Sequence, residues 1–222
     1  MTVVARPRIR GTVGESVERP DGAAKVKGEF RYASDLWQQG MLHGATLRSP
    51  HPHARITSID TTKARALPGV RAVLTHEDLP NDKTYGLMQS DQYPLARKKV
   101  RFLGDPVAVV AADDAQTARD ALKLIAMTYE SLPAITDPIA ALQPDAQPIH
   151  DKGNVIDAVH LVHGDPKAPA EVEVEGEYEI GMQDQAALGP EAGLAIPDDD
   201  GGVTLHIATQ WLHEDLRQIA PC

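Results

Sequence analysis

The sequence predicts a mixed α/β (α+β) fold arranged in two domains. A continuous apolar run at residues 106–112 is typical of a strand that is buried on both faces. A helical pattern follows it, and residues 172–180 later alternate between apolar and acidic side chains, as in a strand with one face in water. A chain of 222 residues can hold two small domains, each with its own core.

The N-terminal elements are short and separated by turn residues. Residues 1–30 are polar and rich in glycine, which indicates an extended arm. A first strand is predicted at residues 41–47, and Pro50 and Pro52 end it because neither can donate to a strand ladder. A strand at 54–59, a helix at 61–67 and a strand at 70–74 then predict a compact strand–helix–strand unit.

The helix after the apolar run has a clear start and one apolar side. Asp113 or Asp114 can accept hydrogen bonds from the free amides of its first turn. Its apolar positions follow helical spacing: Ala118, Ala121, Leu122 and Ile125. We expect this helix to pack on the sheet, and residues 127–130 to return as a strand.

A proline-rich segment predicts the domain boundary. Four prolines lie between residues 131 and 151, which suits an ordered but irregular linker. We therefore predict an N-terminal arm at 1–14, an α/β domain at 15–132, a linker at 133–154 and the start of a second domain at 155–222.

In the second domain, amide side chains follow two predicted strands. The alternating strand stops at Gly181, and Gln183 and Gln185 come directly after it. A second strand at 203–208 leads into Thr209 and Gln210. We expect the two amide-bearing strand ends to lie side by side.

Charge and composition exclude several classes of protein. A formal charge of −10 argues against a nucleic-acid-binding surface, which needs clustered Lys and Arg. The cationic cluster at residues 97–101 is interpreted as a solvated edge, with an anion or partner contact as the alternative. No apolar run approaches the roughly 20 residues of a membrane span, so we expect a cytoplasmic protein.

Cys222 is the single cysteine, which excludes an intrachain disulfide. It also excludes an iron–sulfur cluster held by this chain alone, because such clusters need about four cysteine ligands. No glycine-rich dinucleotide fingerprint follows a strand, so nothing in the sequence places a flavin or nicotinamide site here.

Three polar clusters allow a metal hypothesis that we consider weaker than a structural one. His51 with His53, and His160 with His163, lack the further ligands of a zinc site, so hydrogen-bonded or surface histidines are expected. The acidic run at 198–200 lacks the spacing of a calcium loop and is expected to form a turn between strands.

The order of several sequence words resembles the large, molybdenum-binding subunit of the xanthine dehydrogenase and aldehyde oxidase family. The words are GESVERPDGAAKVKGEFRYASDL, RFLGDPVAVVAADDAQTARDALKLIAMTYESLPAITDP, VEGEYEIGMQDQ, GPEAGLAIPDDDGG and ATQWLHEDLRQIAP. The resemblance implies an α/β hammerhead domain followed by the first strands of a molybdenum-cofactor-binding domain. It also implies a molybdenum–molybdopterin cofactor here, with FAD and [2Fe-2S] clusters on partner subunits.

The resemblance also implies which residues line the cofactor site. The glutamine of the word ATQ, here Gln210, lies near the apical oxo group in the family, and a carboxamide can bond an oxo or pterin oxygen without adding charge. Gln183 and Gln185 match a site-lining word, with shaping of the surrounding loops as the alternative. Glu191 is expected to be structural. No catalytic residue and no direct metal ligand are expected in this chain.

The sequence lacks two features of the complete family subunit, the segment Gly-Gly-x-Phe-Gly-Gly with its following glutamate and the distant glutamate that acts as base. We therefore expect a truncated product, a split subunit or a fragment of a molybdenum hydroxylase that is inactive alone. Its expected partners are the rest of the large subunit, an iron–sulfur subunit and an FAD subunit. The reaction implied is hydroxylation of a purine, an N-heterocycle or an aldehyde with water as oxygen source. The alternative is a non-catalytic interaction or assembly module.

Overall fold

A computed structural model describes residues 13–14, 16–79, 83–165, 167–186, 189 and 191–222. Its helices are α1 (Gly22–Val26), α2 (Thr62–Arg65), α3 (Ala115–Leu122), α4 (Pro138–Ala141) and α5 (Leu212–Ile219). Its strands are β1 (His43–Arg48), β2 (Ala54–Asp60), β3 (Val70–Leu74), β4 (Lys99–Val100), β5 (Pro106–Ala112), β6 (Ala126–Ser131), β7 (Gly193–Pro197) and β8 (Val203–Ile207).

The chain divides into two compact units. The hairpin unit comprises Met1–Trp37 and Met182–Ala208 and contains the antiparallel pair β7 and β8. The two-sheet unit comprises Gln38–Gly181 and Thr209–Cys222 and contains the remaining strands. Each unit combines segments that are not consecutive in the chain, and the domain boundary at 133–154 stays a prediction.

The first sheet of the two-sheet unit has β5 at its centre. Its order is β1-β5-β3, and both pairings are antiparallel. Val110 lies opposite Ala45 on one side and Val73 on the other. The prediction of a continuous apolar strand over residues 106–112 is confirmed, and the structure places that strand at the centre of this sheet.

Both faces of β5 are buried, and each contributes to a different core. Ala108, Val110 and Ala112 pack in one cluster with the side chains of α3. Val107, on the opposite face, packs with Ala54, Ala96 and Val100 in a second cluster. The period-two alternation of side chains along a strand places these two sets on opposite faces.

Helix α3 begins where the sequence predicted. The Asp114 carboxylate accepts hydrogen bonds from the backbone amides of Gln116 (2.9 Å) and Thr117 (2.8 Å), so Asp114 is the N-cap. Asp113 instead pairs with Arg71 of β3, and the Nε to Oδ1 distance is 2.7 Å. This ion pair ties the start of the helix to the edge of the first sheet.

The second sheet has the order β4-β2-β6, again with antiparallel pairings. The predicted strand, helix and strand are present as β2, α2 and β3, but β2 and β3 belong to different sheets. A parallel crossover needs a connection of about a dozen residues or more, and the connection between β2 and β3, residues 61–69, is shorter than that. The short connection carries the chain from one sheet to the other.

The predicted linker at 133–154 is ordered and contains α4. Asp137 caps this helix by accepting from the amide of Ala140. Asn154 then holds the segment together: its side-chain amide donates to the carbonyls of Ala141 (3.1 Å) and Gln147 (3.2 Å). The prolines predicted the irregular course of the segment but not its helical turn.

The strand predicted at residues 172–180 is not formed. These residues have no regular secondary structure, and their apolar side chains are exposed. A strand needs a neighbour to satisfy its backbone donors and acceptors, and within the described residues no strand pairs with this segment. The prediction of two adjacent amide-bearing strand ends is therefore wrong for the first strand, while the second is present as β8.

Candidate functional site

Gln210 lies in a hydrogen-bonded turn immediately before α5. The amide of Trp211 donates to the hydroxyl of Thr209 at 2.9 Å, and that hydroxyl donates to the carboxylate of Asp215 in the helix. The turn fixes the backbone on both sides of Gln210. The Gln210 side chain is exposed, and no hydrogen bond within the described chain engages it.

Helix α5 is attached to the two-sheet unit by Gln218, a residue that the sequence did not single out. Its side-chain carbonyl accepts from the backbone amide of Gly86 at 3.1 Å. The side-chain amide of Gln218 donates to Glu214 at 2.9 Å, and Arg217 also donates to this carboxylate. Arg217 in particular lowers the pKa of Glu214. Gln218 thus anchors the C-terminal half of α5, and the bond between Thr209 and Asp215 ties the turn that carries Gln210 to the same helix.

Gln183 and Gln185 lie in the hairpin unit, in a segment without regular secondary structure. Between them, Asp184 accepts a hydrogen bond from the backbone amide of Ala186 at 2.6 Å. Ala186 has a φ of 49°, in the left-handed region that alanine rarely adopts. The local turn leaves both glutamine side chains exposed and without hydrogen bonds among the described residues.

The three predicted site residues thus divide between the two units, with Gln183 and Gln185 in one and Gln210 in the other. Each offers an uncommitted carboxamide, which can donate through its NH₂ group and accept through its carbonyl oxygen. This donor set is neutral and suits the oxygen atoms of a molybdenum–pterin cofactor. Glu191 is exposed and makes no hydrogen bond in the described chain, so the structure gives it no bonding role.

The other polar clusters behave as structural groups. His53 is buried, and its Nδ1 lies 2.8 Å from the carbonyl of Pro133. His160 and His163 are exposed. Asp198 accepts from Thr204 at 3.0 Å and its backbone amide donates to Gly202, which closes the turn between β7 and β8. Across the described ranges, no three His, Cys, Asp or Glu side chains cluster closely enough to hold a metal ion.

No helix in the described stretches is both long enough and apolar enough to cross a membrane.

Two family profiles match consecutive parts of the chain. Residues 27–133 match the aldehyde oxidase and xanthine dehydrogenase a/b hammerhead domain. Residues 149–222 match the molybdopterin cofactor-binding domain. Gln183, Gln185 and Gln210 all fall within the second match.

Relatives and a solved structure agree with the profiles. The chain is 40% identical over 205 residues to a probable xanthine dehydrogenase subunit of Bacillus subtilis, covering 91% of this chain and 28% of that protein. It is 35% identical to the nicotinate dehydrogenase large molybdopterin subunit of Eubacterium barkeri, covering 94% of this chain and 50% of the relative. The aldehyde oxidoreductase structure from Desulfovibrio gigas superposes with a TM-score of 0.81 at 33% identity, covering 91% of this chain and 24% of that one.

The chain therefore spans between about a quarter and a half of the length of these proteins. Within that span, the mixed helix and strand fold is that of a hammerhead domain followed by the start of a molybdopterin-binding domain. The chain belongs to the xanthine dehydrogenase and aldehyde oxidase family of molybdenum-containing oxidoreductases.

Proposed function

We propose that this chain supplies the hammerhead domain and one wall of the cofactor site of a molybdenum hydroxylase. The observation that carries the proposal is the uncommitted carboxamide of Gln210, set in a fixed turn within the region that matches the molybdopterin cofactor-binding domain. A carboxamide can hydrogen-bond the oxygen atoms of a molybdenum–molybdopterin cofactor, and the matched domain is one that binds a molybdopterin cofactor. Both observations support this cofactor as the ligand.

Gln210 is proposed to donate a hydrogen bond to an oxygen of the cofactor, and Gln183 and Gln185 are proposed as further cofactor-binding residues. A fixed donor next to a reacting centre needs little reorganisation during the reaction, so it can stabilise developing charge efficiently. The bound molybdenum–molybdopterin group would supply the redox chemistry. The residues of this chain would orient and hydrogen-bond it, and none of them is proposed as a catalytic base or a metal ligand.

The substrate is proposed to be a purine, an N-heterocycle or an aldehyde, hydroxylated with water as oxygen source. The names of the relatives, which include xanthine, nicotinate and aldehyde enzymes, support this range. Two of them are subunits by name, which supports an assembly with partner chains. We propose that these partner chains carry the remainder of the large subunit, the [2Fe-2S] clusters and FAD. The clusters are assigned to a partner because Cys222 is the single cysteine of this chain, and this low cysteine content also supports a cytoplasmic location.

Turnover by the chain alone tests one part of this proposal. The purified 222-residue chain is expected not to oxidise hypoxanthine, nicotinate or an aldehyde, whereas the assembly isolated with its partner chains should oxidise at least one. Steady turnover by the isolated, sequence-verified chain would contradict the proposal. An assembly free of molybdenum and pterin would favour the non-catalytic interaction module instead.

A further inference from the structure

A groove of about 480 Å³ in the two-sheet unit collects cationic side chains from β2, β4 and their flanking turns. The side chains that matter here are Arg55, Arg97, Lys98, Lys99, Arg101 and the aromatic Tyr93. Arg55 and Lys99 are direct cross-strand partners in the antiparallel pair of β2 and β4. Like charges directly opposite each other on a sheet are destabilising, so this pairing has a cost that other contacts must offset.

Several of these cations are held in position by neutral groups. The Lys99 ammonium donates to the carbonyl of Pro148 at 3.4 Å, and the Arg101 Nε donates to the carbonyl of Ile149 at 3.3 Å. The guanidinium carbons of Arg97 and Arg101 lie 5.6 and 5.9 Å from the centre of the Tyr93 ring. The carbonyl contacts hold Lys99 and Arg101 at the groove without neutralising the charge of these two side chains.

Carboxylates compensate only part of this positive charge. Asp151 lines the groove, and Arg55 bonds to Glu130 at 3.0 Å. None of the ion pairs among the described residues includes Lys98, Lys99 or Arg101. Burial, then Arg101 and Arg55, lower the pKa of Lys99, although Asp151 opposes this effect. The whole chain has a net charge of −10, so the positive charge at this groove is opposite in sign to that of the molecule.

We propose that this groove binds a small polyanion that carries adjacent phosphate groups. Arginine forks match the geometry of phosphate oxygens, and lysines add point charges to the same site. The groove volume lies within the range of small-molecule sites and would place several cations around one compact ligand. An extended acidic peptide would leave most of its charges outside so compact a cavity.

Calorimetric titration of the 222-residue chain with sodium pyrophosphate tests the proposal. The expected result is saturable binding of one pyrophosphate per chain, with a Kd that rises as sodium chloride is added. Lys99→Gln should weaken binding about tenfold or more, as expected for the loss of a hydrogen bond to a charged group. Lys63→Gln is the matched control, because this exposed lysine on α2 removes the same charge outside the groove.

Titrations with ADP and with adenosine distinguish a nucleotide from a free polyphosphate as the source of the phosphate groups, with adenosine measuring the contribution of the nucleoside alone. Tighter binding of ADP than of pyrophosphate would identify a nucleotide as the ligand, and equal affinity would identify the free polyphosphate. If Lys99→Gln does not fold, as judged by circular dichroism, the exposed Lys98→Gln takes its place. Absence of saturable binding, equal weakening by Lys63→Gln, or tighter binding of hexaglutamate than of pyrophosphate would each overturn the proposal.

Discussion

At the scale of single residues, Gln210 is the side chain on which the cofactor proposal depends most. In the complete assembly, Gln210→Ala should lower turnover per bound molybdenum about a hundredfold, the typical cost of removing a preorganised donor at a reacting centre. Its thermal midpoint should hardly change, since the side chain is exposed and makes no hydrogen bond in the described chain. Steady-state kinetics, metal analysis and thermal denaturation measure these quantities together.

The control for Gln210 is Gln39→Ala. Gln39 is also exposed and also makes no side-chain hydrogen bond among the described residues, but it lies outside the region that matches the molybdopterin-binding domain. Equal turnover of the two variants at full cofactor occupancy would reduce Gln210 to an ordinary surface glutamine.

Asp105 gives a residue-scale prediction about pH. Burial raises the pKa of its carboxyl above the ordinary value of 3.8, although Arg101 and His150 favour the charged form. Between 3.8 and the raised value, the folded chain binds more protons than the unfolded chain, so this group makes stability fall as pH rises. Asp105→Asn should remove this pH-dependent contribution to stability. The asparagine carbonyl can still accept the hydrogen bond from the Arg101 backbone amide, which is 2.9 Å long in the unmodified chain.

Thermal midpoints from about pH 4 to about pH 8 check this expectation. The midpoint of Asp105→Asn minus that of the unmodified chain should increase with pH. The difference is the informative quantity, because carboxylates with lowered pKa values, such as Asp113 and Asp114, make stability rise with pH at the acid end. Parallel curves for Asp105→Asn and the unmodified chain would show that the charge of Asp105 has no effect on folding.

At the scale of elements, the strand β5 determines the packing of the two-sheet unit. Val110→Ala should lower the free energy of unfolding by about 2 kcal/mol, from lost burial and the cavity left behind. Val110 is 1% exposed, whereas Val159 is 76% exposed, so Val159→Ala should be nearly neutral. Urea denaturation of both variants makes the comparison, and similar midpoints would contradict the packing described for β5.

Local patterns predicted the elements that such packing requires. The apolar run of β5 and the strand β3 were predicted with the observed bounds, and the cap Asp114 was one of the two candidates predicted, since each of these features depends on adjacent side chains. The assignment of β2 and β3 to different sheets was not predicted, because strand pairing depends on partners distant in the chain. The role of Gln218 was missed for the same reason, since its partner Gly86 lies 132 positions away.

The segment at residues 172–180 yields the second prediction at this scale. Its apolar and acidic alternation is that of a strand, yet Val174 is 86% exposed and no strand of the described chain pairs with the segment. We expect its amides to exchange rapidly in the isolated chain and to become protected in the complete assembly if a strand there pairs with the segment. Hydrogen exchange followed by mass spectrometry measures both states. Unchanged fast exchange in the assembly would show that the alternation does not encode a strand.

At the scale of the whole molecule, short sequence motifs predicted more of the domain organisation than hydrophobic periodicity did. The family, the hammerhead domain and the start of the molybdopterin-binding domain were all predicted from them and are confirmed. The domain limits at 15–132 and 155–222 remain predictions, and so do the roles of Gln183, Gln185 and Gln210. Those roles depend on a bound cofactor, so local patterns in this chain cannot establish them.

The content of molybdenum and pterin in the assembly isolated through this chain tests most directly whether the chain forms part of a molybdenum-cofactor site. The measurement is elemental analysis of molybdenum, with fluorescence of the oxidised pterin, on the gel-filtered assembly. We expect stoichiometric molybdenum and pterin per chain, retained through gel filtration. An intact, active assembly that contains neither would contradict this expectation.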